Sequence, residues 1–355
     1  LLPITSPSGI VVIGTVFALV AGLMAIPRNE AGIAVIVLLV AGMVILIAQP
    51  RWLDDLDQQM NILRWKACGV LPEYNQENPQ HVESRDTLYQ NLSLFKSFDQ
   101  YSLYGNGNVL FSFPDPITDE HEVHFIMGQN PRARSVLLLG GNPAGEISQL
   151  LKYPITKLVY VELDSGVTDI LSNWAPEDCE VLYNDSRVEY VTIDGPRYVA
   201  QSEELFDVVI INAPEPSSAW ENRYYTREFY NDVWCRLSPK GYMCTSLTLS
   251  VRLQDETARL GSSIYKTLQA VFPVVLATAG DTCFYFAGKK EAGLTFDRQT
   301  LFERSNSAGL ENEFFRPEYF LGLDDIDSEK SNKVLGRFDE VDAPPNTIRQ
   351  PVGYF

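Results

Sequence analysis

The residues best able to do chemistry stand at four places where an apolar run gives way to glycine, acid or amide. The first is Gly140-Gly141-Asn142-Pro143-Ala144-Gly145-Glu146, directly after the apolar run SVLLLGG over 135–141. Glycines there let a backbone approach a ligand closely, and a helix starting after them offers partial positive charge at its N-terminus. A tight strand-to-helix turn would use the same glycines without any ligand. The second place is Glu162, which ends the next run, KLVYVELD over 157–164, 21 residues after Gly141. An acid so placed accepts hydrogen bonds from ribose hydroxyls in dinucleotide- and adenosyl-binding folds. The third is Asp194-Gly195, after VEYVTID (188–194), where an adenine edge would lie in such a sheet. The fourth is Asn212-Ala213-Pro214-Glu215-Pro216, closing FDVVIIN (206–212). An amide and an acid at a strand's carboxyl end suit the holding of an amine. For the last three places a solvated carboxylate or a simple turn is the alternative.

The elements that position these residues follow from the pattern around them. Short apolar strands alternate with helical stretches from 131 onward, which implies a doubly wound, mostly parallel sheet. GYMCTSL (241–247) supplies a further strand, and FPVVLATA with CFYFAG (272–288) reads as an antiparallel edge hairpin. Ahead of this, LYQNLSLFKSF and QYSLYGNGNVLFSF alternate apolar and polar residues, with Gly105-Asn106-Gly107-Asn108 at their centre. That cluster is a hairpin signal and predicts a small antiparallel β-domain.

The chain has 355 residues, with 28 Lys+Arg against 46 Asp+Glu for a net charge of −18. It is long enough for about two domains, and its acid excess excludes a non-specific nucleic-acid binder. Five cysteines, none in CxxC spacing, and three histidines, His81, His121 and His124, without a Cys or His partner downstream exclude a disulfide scaffold and a zinc knuckle; no metal site is expected. Residue 1 is Leu, so the chain is expected to be a stretch of a longer polypeptide.

Residues 9–26 and 31–48 are two uncharged apolar runs joined by Pro27-Arg28-Asn29-Glu30. Each reaches about 27 Å as a helix, close to the thickness of a bilayer core, and together they predict a transmembrane helical hairpin. Arg28 against Arg51, Arg64 and Lys66 leans the remainder toward the cytoplasmic side of an inner membrane. Residues 50–68 predict an amphipathic juxtamembrane helix with Trp52 and Trp65 as interfacial anchors, or else an ordinary soluble helix. Residues 323–342, with seven acids against three bases, predict an exposed acidic segment. The expected organisation is a hairpin over 1–50, a juxtamembrane helix and linker over 51–82, a β-hairpin domain over 83–128, a Rossmann-like nucleoside-binding domain over 129–295 and an acidic extension over 296–355.

RDTLYQNLSLF, QYSLYGNGNVLFSFPDP, EVHF, SVLLLGGNPAGEISQLLKYP, YVELD, DSRVEYVTIDGPRYV and FDVVIINAPEPSSAWENRYYTREFY occur in the order and spacing of one family. The chain resembles the spermidine synthases (polyamine aminopropyltransferases), especially their membrane-spanning, fused branch, to which the closing NTIRQPVGYF is also similar. The resemblance implies an α/β fold of the spermidine synthase/methyltransferase type. It also implies decarboxylated S-adenosylmethionine as donor, an amine acceptor and methylthioadenosine as product.

By that resemblance Gln90, Glu162 and Asp194 touch the nucleoside and Asn212 and Glu215 take the catalytic places, while Gly140, Gly141, Gly145 and Gly195 are candidates for cofactor binding from their places at the strand ends. The family's GGGDG loop has its acid where Pro143 stands, its general-base Asp is Asn212, and the Tyr before His124 is Val123. Asn cannot accept a proton at neutral pH, and a positioned base contributes about 10²–10⁴-fold. On these residues the nucleoside half-site is kept and the amine half is degraded. This favours a non-catalytic or altered subunit of a membrane complex, with the lipid bilayer and other membrane proteins or further copies of the chain as partners. The alternatives are an active aminopropyltransferase with an altered amine substrate, or an amine-directed methyltransferase using S-adenosylmethionine. No cofactor is firmly implied, and decarboxylated S-adenosylmethionine, S-adenosylmethionine and methylthioadenosine are the candidate ligands.

Overall fold

A computed structural model describes residues 80–249 and 255–352, together with Gly14, Phe17, Gln59, Met60, Leu63 and Trp65. Two compact units divide between Val109 and Leu110.

The first unit contains strands β1 (Gln80–Asp86), β2 (Asn91–Ser97) and β3 (Gln100–Gly105) and the start of β4 (Asn108–Phe113). They form an antiparallel sheet in the order β1-β2-β3-β4. Asn106 and Gly107, at φ 50° and 98°, make the two-residue connection from β3 to β4. Positive φ at both positions matches the strand twist, which is why Asn-Gly is favoured there. Trp65 is 2% exposed, packs edge-on against Phe95 and Tyr104, and donates its indole N–H to Ser93 Oγ at 3.1 Å. It is therefore a core residue under the sheet and not an interfacial anchor, because the alternating apolar face of β2 and β3 offers it a dry surface. Trp52 lies outside the described residues.

The second unit opens with α1 (Pro116–Met127), started by proline and capped by Asp115, which accepts from Thr118 N at 3.3 Å. A seven-stranded sheet follows in the order β10-β11-β9-β8-β5-β6-β7. Its strands are β5 (Ser135–Gly140), β6 (Lys157–Glu162), β7 (Val188–Thr192), β8 (Phe206–Asn212), β9 (Leu237–Thr248), β10 (Val274–Ala277) and β11 (Thr282–Gly288). The first five are parallel neighbours, and β10 and β11 add an antiparallel edge. Successive residues of the central strands feed two cores. Leu137, Leu139, Val209 and Ile211 pack on one face, and Val136, Leu138, Val208 and Ile210 on the other. Burial on both faces explains why these strands read as unbroken apolar runs.

Between the strands lie α2 (Glu146–Leu150), α3 (Ser165–Trp174), α4 (Pro176–Asn184), α5 (Gly195–Gln201), α6 (Ala219–Asn222), α7 (Arg227–Arg236) and α8 (Asp255–Gln269). After the sheet come α9 (Arg298–Ala308), α10 (Tyr319–Gly322) and α11 (Ser328–Glu340). The segment 323–342 is thus not simply an exposed acidic stretch. Phe338 is 0% exposed, stacks on Tyr285 at 6.4 Å, and its carbonyl accepts from Ser262 Oγ at 2.7 Å. The charges sit on the outer face of an amphipathic helix, and net charge alone does not reveal the apolar face beneath.

The membrane expectations require correction. Among the described residues no helix is long and apolar enough to cross a membrane. The transmembrane hairpin, and the integral-membrane placement built on it, are not supported. Residues 9–48 lie outside the described residues except for Gly14 and Phe17. Run length and hydropathy show only that a segment tolerates lipid, a weaker statement than that it spans it.

Candidate active site

The strand order reverses direction between β5 and β8, since the chain passes from β5 outward through β6 and β7 and returns to β8 on the other side. Ligands of open α/β sheets bind in the crevice outside the strand ends at this switch point. The register pairs Gly140 with Asn212 there, so two of the sequence candidates frame the crevice.

Gly140 and Gly141 adopt φ 69° and 89°, a left-handed region that strains any side chain. Space excludes side chains as well. A methyl group on Gly140 would lie 2.9 Å from Asn212 O, and one on Gly141 would lie 2.7 Å from both Asn212 Nδ2 and Glu146 Oε1. The loop then closes on itself. Glu146 Oε1 accepts from Asn142 N at 2.8 Å, and Asn142 Oδ1 accepts from Ala144 N at 3.2 Å. The five-residue α2 therefore has its own carboxylate at its N-terminus, and the anion site expected of a glycine loop is filled from within.

Glu146 Oε2 also accepts from Asn212 Nδ2 at 2.7 Å. Burial raises the Glu146 carboxyl well above the usual carboxylate range, opposed by its bond from Asn142. Asp119 on α1 presses on the same loop. It accepts from Asn142 Nδ2 at 3.1 Å, and a methyl group on Gly145 would sit 1.7 Å from its Oδ2. Burial pushes both Asp119 and its helix neighbour Glu122 up to about 7. Glu146, Asp119 and Glu122 interact through their charges. The result is a wall whose buried acids would ionise most readily beside a cation.

Glu162 ends β6, accepts from Asp164 N at 2.8 Å, and is pushed up to about 7 by burial. Asp164 in turn caps α3 through Gly166 N at 3.0 Å. Asp194 precedes α5 and is clamped by Arg223, whose guanidinium donates to both carboxylate oxygens at 2.8 and 3.1 Å. That guanidinium lies 3.9 Å over the Trp220 ring. Gly195 faces Tyr224, with room for no side chain, since a methyl group would lie 2.8 Å from the ring. Glu215 is exposed, and its Oε1 accepts from Thr248 N at 2.9 Å. Gln90 belongs to the first unit, where its carbonyl closes the β1–β2 turn by accepting from Thr87 N at 2.9 Å. His124 is buried, bonded to Tyr153 Oη at 2.6 Å, and held down to about 4 by burial.

The structure thus joins Gly140, Gly141, Gly145 and Asn212 in one constellation. Glu162 and Asp194 stand at other strand ends of the same sheet edge, and Glu215 follows Asn212 at the end of β8. Glu146, which the sequence placed in the glycine motif without a role, and Asp119 and Glu122, which it did not single out, complete the wall. Their signals were present: Glu146 is the first helical residue after the glycines, and Asp119 and Glu122 share a helix face at i,i+3.

The loop over 213–226, which carries Arg223 and Trp220, is fixed from outside. Tyr225 Oη donates to Ala213 O at 3.0 Å. Fully buried Asn346 donates to Asn222 Oδ1 at 2.9 Å and Tyr225 O at 3.0 Å. It also accepts from Arg227 N at 2.9 Å through its carbonyl.

Comparison with known proteins agrees with this architecture. The family profile described as a spermine/spermidine synthase domain matches residues 116–288. A polyamine aminopropyltransferase of Methanocaldococcus jannaschii is 26% identical over 267 residues, covering 71% of this chain and 89% of that one. Another, of Lachnospira eligens, is 30% identical over 219 residues, covering 58% and 75%. Among solved structures, a spermidine synthase in complex with the transition-state analogue AdoDATO aligns with a TM-score of 0.60 at 20% identity, over 72% of this chain and 88% of that one. Spermidine synthase from Thermotoga maritima aligns with a TM-score of 0.58 at 19% identity, over 73% and 89%. The membrane-spanning branch finds no support in these likenesses. A switch-point glycine turn on this sheet, together with 30% identity across three quarters of the Lachnospira protein, shows that the chain belongs to the spermine/spermidine synthase family.

Proposed function

We propose that the chain is an aminopropyltransferase, passing the aminopropyl group of decarboxylated S-adenosylmethionine to an amine and releasing methylthioadenosine. The observation that carries this is the acid wall of Glu146, Asp119 and Glu122 beside Asn212 at the β5/β8 switch point. Donor and acceptor both bring positive charge, a sulfonium and ammonium groups, and such a wall favours them. The names of the curated relatives point the same way.

In the transfer, the amine nitrogen attacks the methylene carbon beside sulfur. The C–S bond breaks with its electron pair going to sulfur, and the sulfonium becomes a neutral thioether. Asn212 contributes an amide oxygen that accepts an N–H and orients the lone pair, without taking a proton. Glu215, at the same strand end, keeps one oxygen on Thr248 N and offers the other as proton acceptor. Glu162 and Asp194 hold the nucleoside, with Arg223 fixing the Asp194 carboxylate.

In the sequence, Pro143 and Asn212 favour a non-catalytic membrane subunit. Against that, Glu146 and Asp119 bond to Asn142, the neighbour of Pro143, and with Glu122 they supply acids that ionise beside a cation.

The test is chromatographic detection of methylthioadenosine from decarboxylated S-adenosylmethionine and a series of diamines. Product is expected with at least one diamine, and Glu215→Gln should slow it by about 10²–10⁴-fold, the usual contribution of a positioned base. Absence of product across the series would refute the reading, and full turnover by the variant would remove Glu215 from it.

A further inference from the structure

Ionised beside an incoming cation, as the buried acids of this wall are, Glu146 uses its carboxylate in a way that no neutral side chain could copy. Its two oxygens each accept from a donor, Asn142 N at 2.8 Å and Asn212 Nδ2 at 2.7 Å. Asn142 N is backbone and cannot turn away. The amide of Asn212 can rotate by half a turn, and only the carboxylate beside it fixes which end is which. With Nδ2 committed to Glu146, no described residue donates to Asn212 Oδ1. Asn212 stands at the carboxyl end of β8, in register with Gly140 at the switch point.

We infer that Glu146 is a positioning residue for the amine acceptor: it locks the Asn212 amide with its oxygen available to accept an N–H from the incoming amine. This rests on the aminopropyltransferase reading. It also accounts for an amide at 212. A second carboxylate 2.7 Å from Glu146 would have to share a proton with it, whereas an amide satisfies Glu146 and still presents an acceptor.

Glu146→Gln supplies one acceptor where two donors wait. The new amide keeps its oxygen on Asn142 N and turns its NH2 to residue 212. Asn212 then rotates to accept that bond and faces the amine with a donor. The expected result is a rise of about tenfold or more in the KM for the amine, the scale of one hydrogen bond turned to opposition. The affinity for methylthioadenosine, measured by calorimetry, should stay within about threefold of the parent on the same energy scale.

The exchanged pair, Glu146→Gln with Asn212→Asp, again leaves one carboxylate against one amide with an acceptor oxygen outward. It should recover the parent amine KM, and it decides the matter if the single variant does not fold. An unchanged amine KM in Glu146→Gln would overturn the inference. So would a folded exchange variant that fails to recover. Absence of turnover in the unmodified protein would be a different failure, overturning the functional reading and this inference with it before any variant is made.

Discussion

Gly145→Ala tests whether the glycine loop is held by the acid wall. Gly145 lies at φ −106°, ψ −54°, a conformation alanine adopts freely, so the backbone adds no strain. The methyl group would arrive 1.7 Å from Asp119 Oδ2, 2.1 Å from Cγ and 2.6 Å from Oδ1. Asp119 is 7% exposed and bonded to Asn142 Nδ2 at 3.1 Å, so it cannot yield without releasing that bond. Overpacking of this kind costs about 1–3 kcal/mol, and an orphaned buried partner about 1–3 kcal/mol more. Stiffening of the unfolded chain returns about 0.5 kcal/mol.

The net loss is about 2–5 kcal/mol, or a melting temperature lowered by about 5–15 °C at the size of the second unit. Urea unfolding of the parent, Gly145→Ala, Asp119→Ala and the double variant measures it. Removing the Asp119 carboxyl relieves the clash, so the double variant should be more stable than additivity predicts by at least about 1 kcal/mol. A Gly145→Ala variant within about 0.5 kcal/mol of the parent, or a strictly additive double variant, would refute the packing described here.

Glu120 is held down to about 2: burial opposes its ionisation, but the backbone N–H groups of Phe315, Phe314 and Glu313 and the charge of Lys152 prevail. Its folded pKa lies below the unfolded value, so its stabilisation is complete above about 4.5 and fades as pH falls toward about 2. Glu120→Gln should therefore lower the urea midpoint at pH 7 and flatten its fall between pH 5 and pH 2, and an unchanged acid slope would count against the assignment. Asn346→Ala removes both donors to the 213–226 loop. Limited proteolysis should then cut within that loop several times faster than in the parent, and equal cutting rates would show that the loop is held otherwise.

Much of the fold was legible because its signals are local. Asn106-Gly107 announces a tight hairpin by its own turn chemistry, and the strands around Gly140, Glu162 and Asn212 announce themselves by apolar runs. The site was legible only at strand ends. Glu146 acquires its role by meeting Asn212, 66 residues away, and no local pattern encodes that meeting. Trp65 misled for the same reason. An aromatic after an apolar run suits a membrane interface, and its true setting depends on Phe95 and Tyr104. In 323–342 the acids dominate the count, yet Phe338 decides where the helix lies.

Asn346 also bears on the order in which the molecule becomes functional. It grips Asn222 from 124 positions further along the chain. During synthesis the sheet, the glycine turn and the acid wall can all form while this residue is still unmade. Through that interval, of the order of ten seconds at about 5–20 residues per second, the segment that sets Arg223 against Asp194 lacks its fastening. The crevice is built first and its rim is secured afterwards, so nascent chains pass through a stage in which the Asp194 end of the crevice is unfastened.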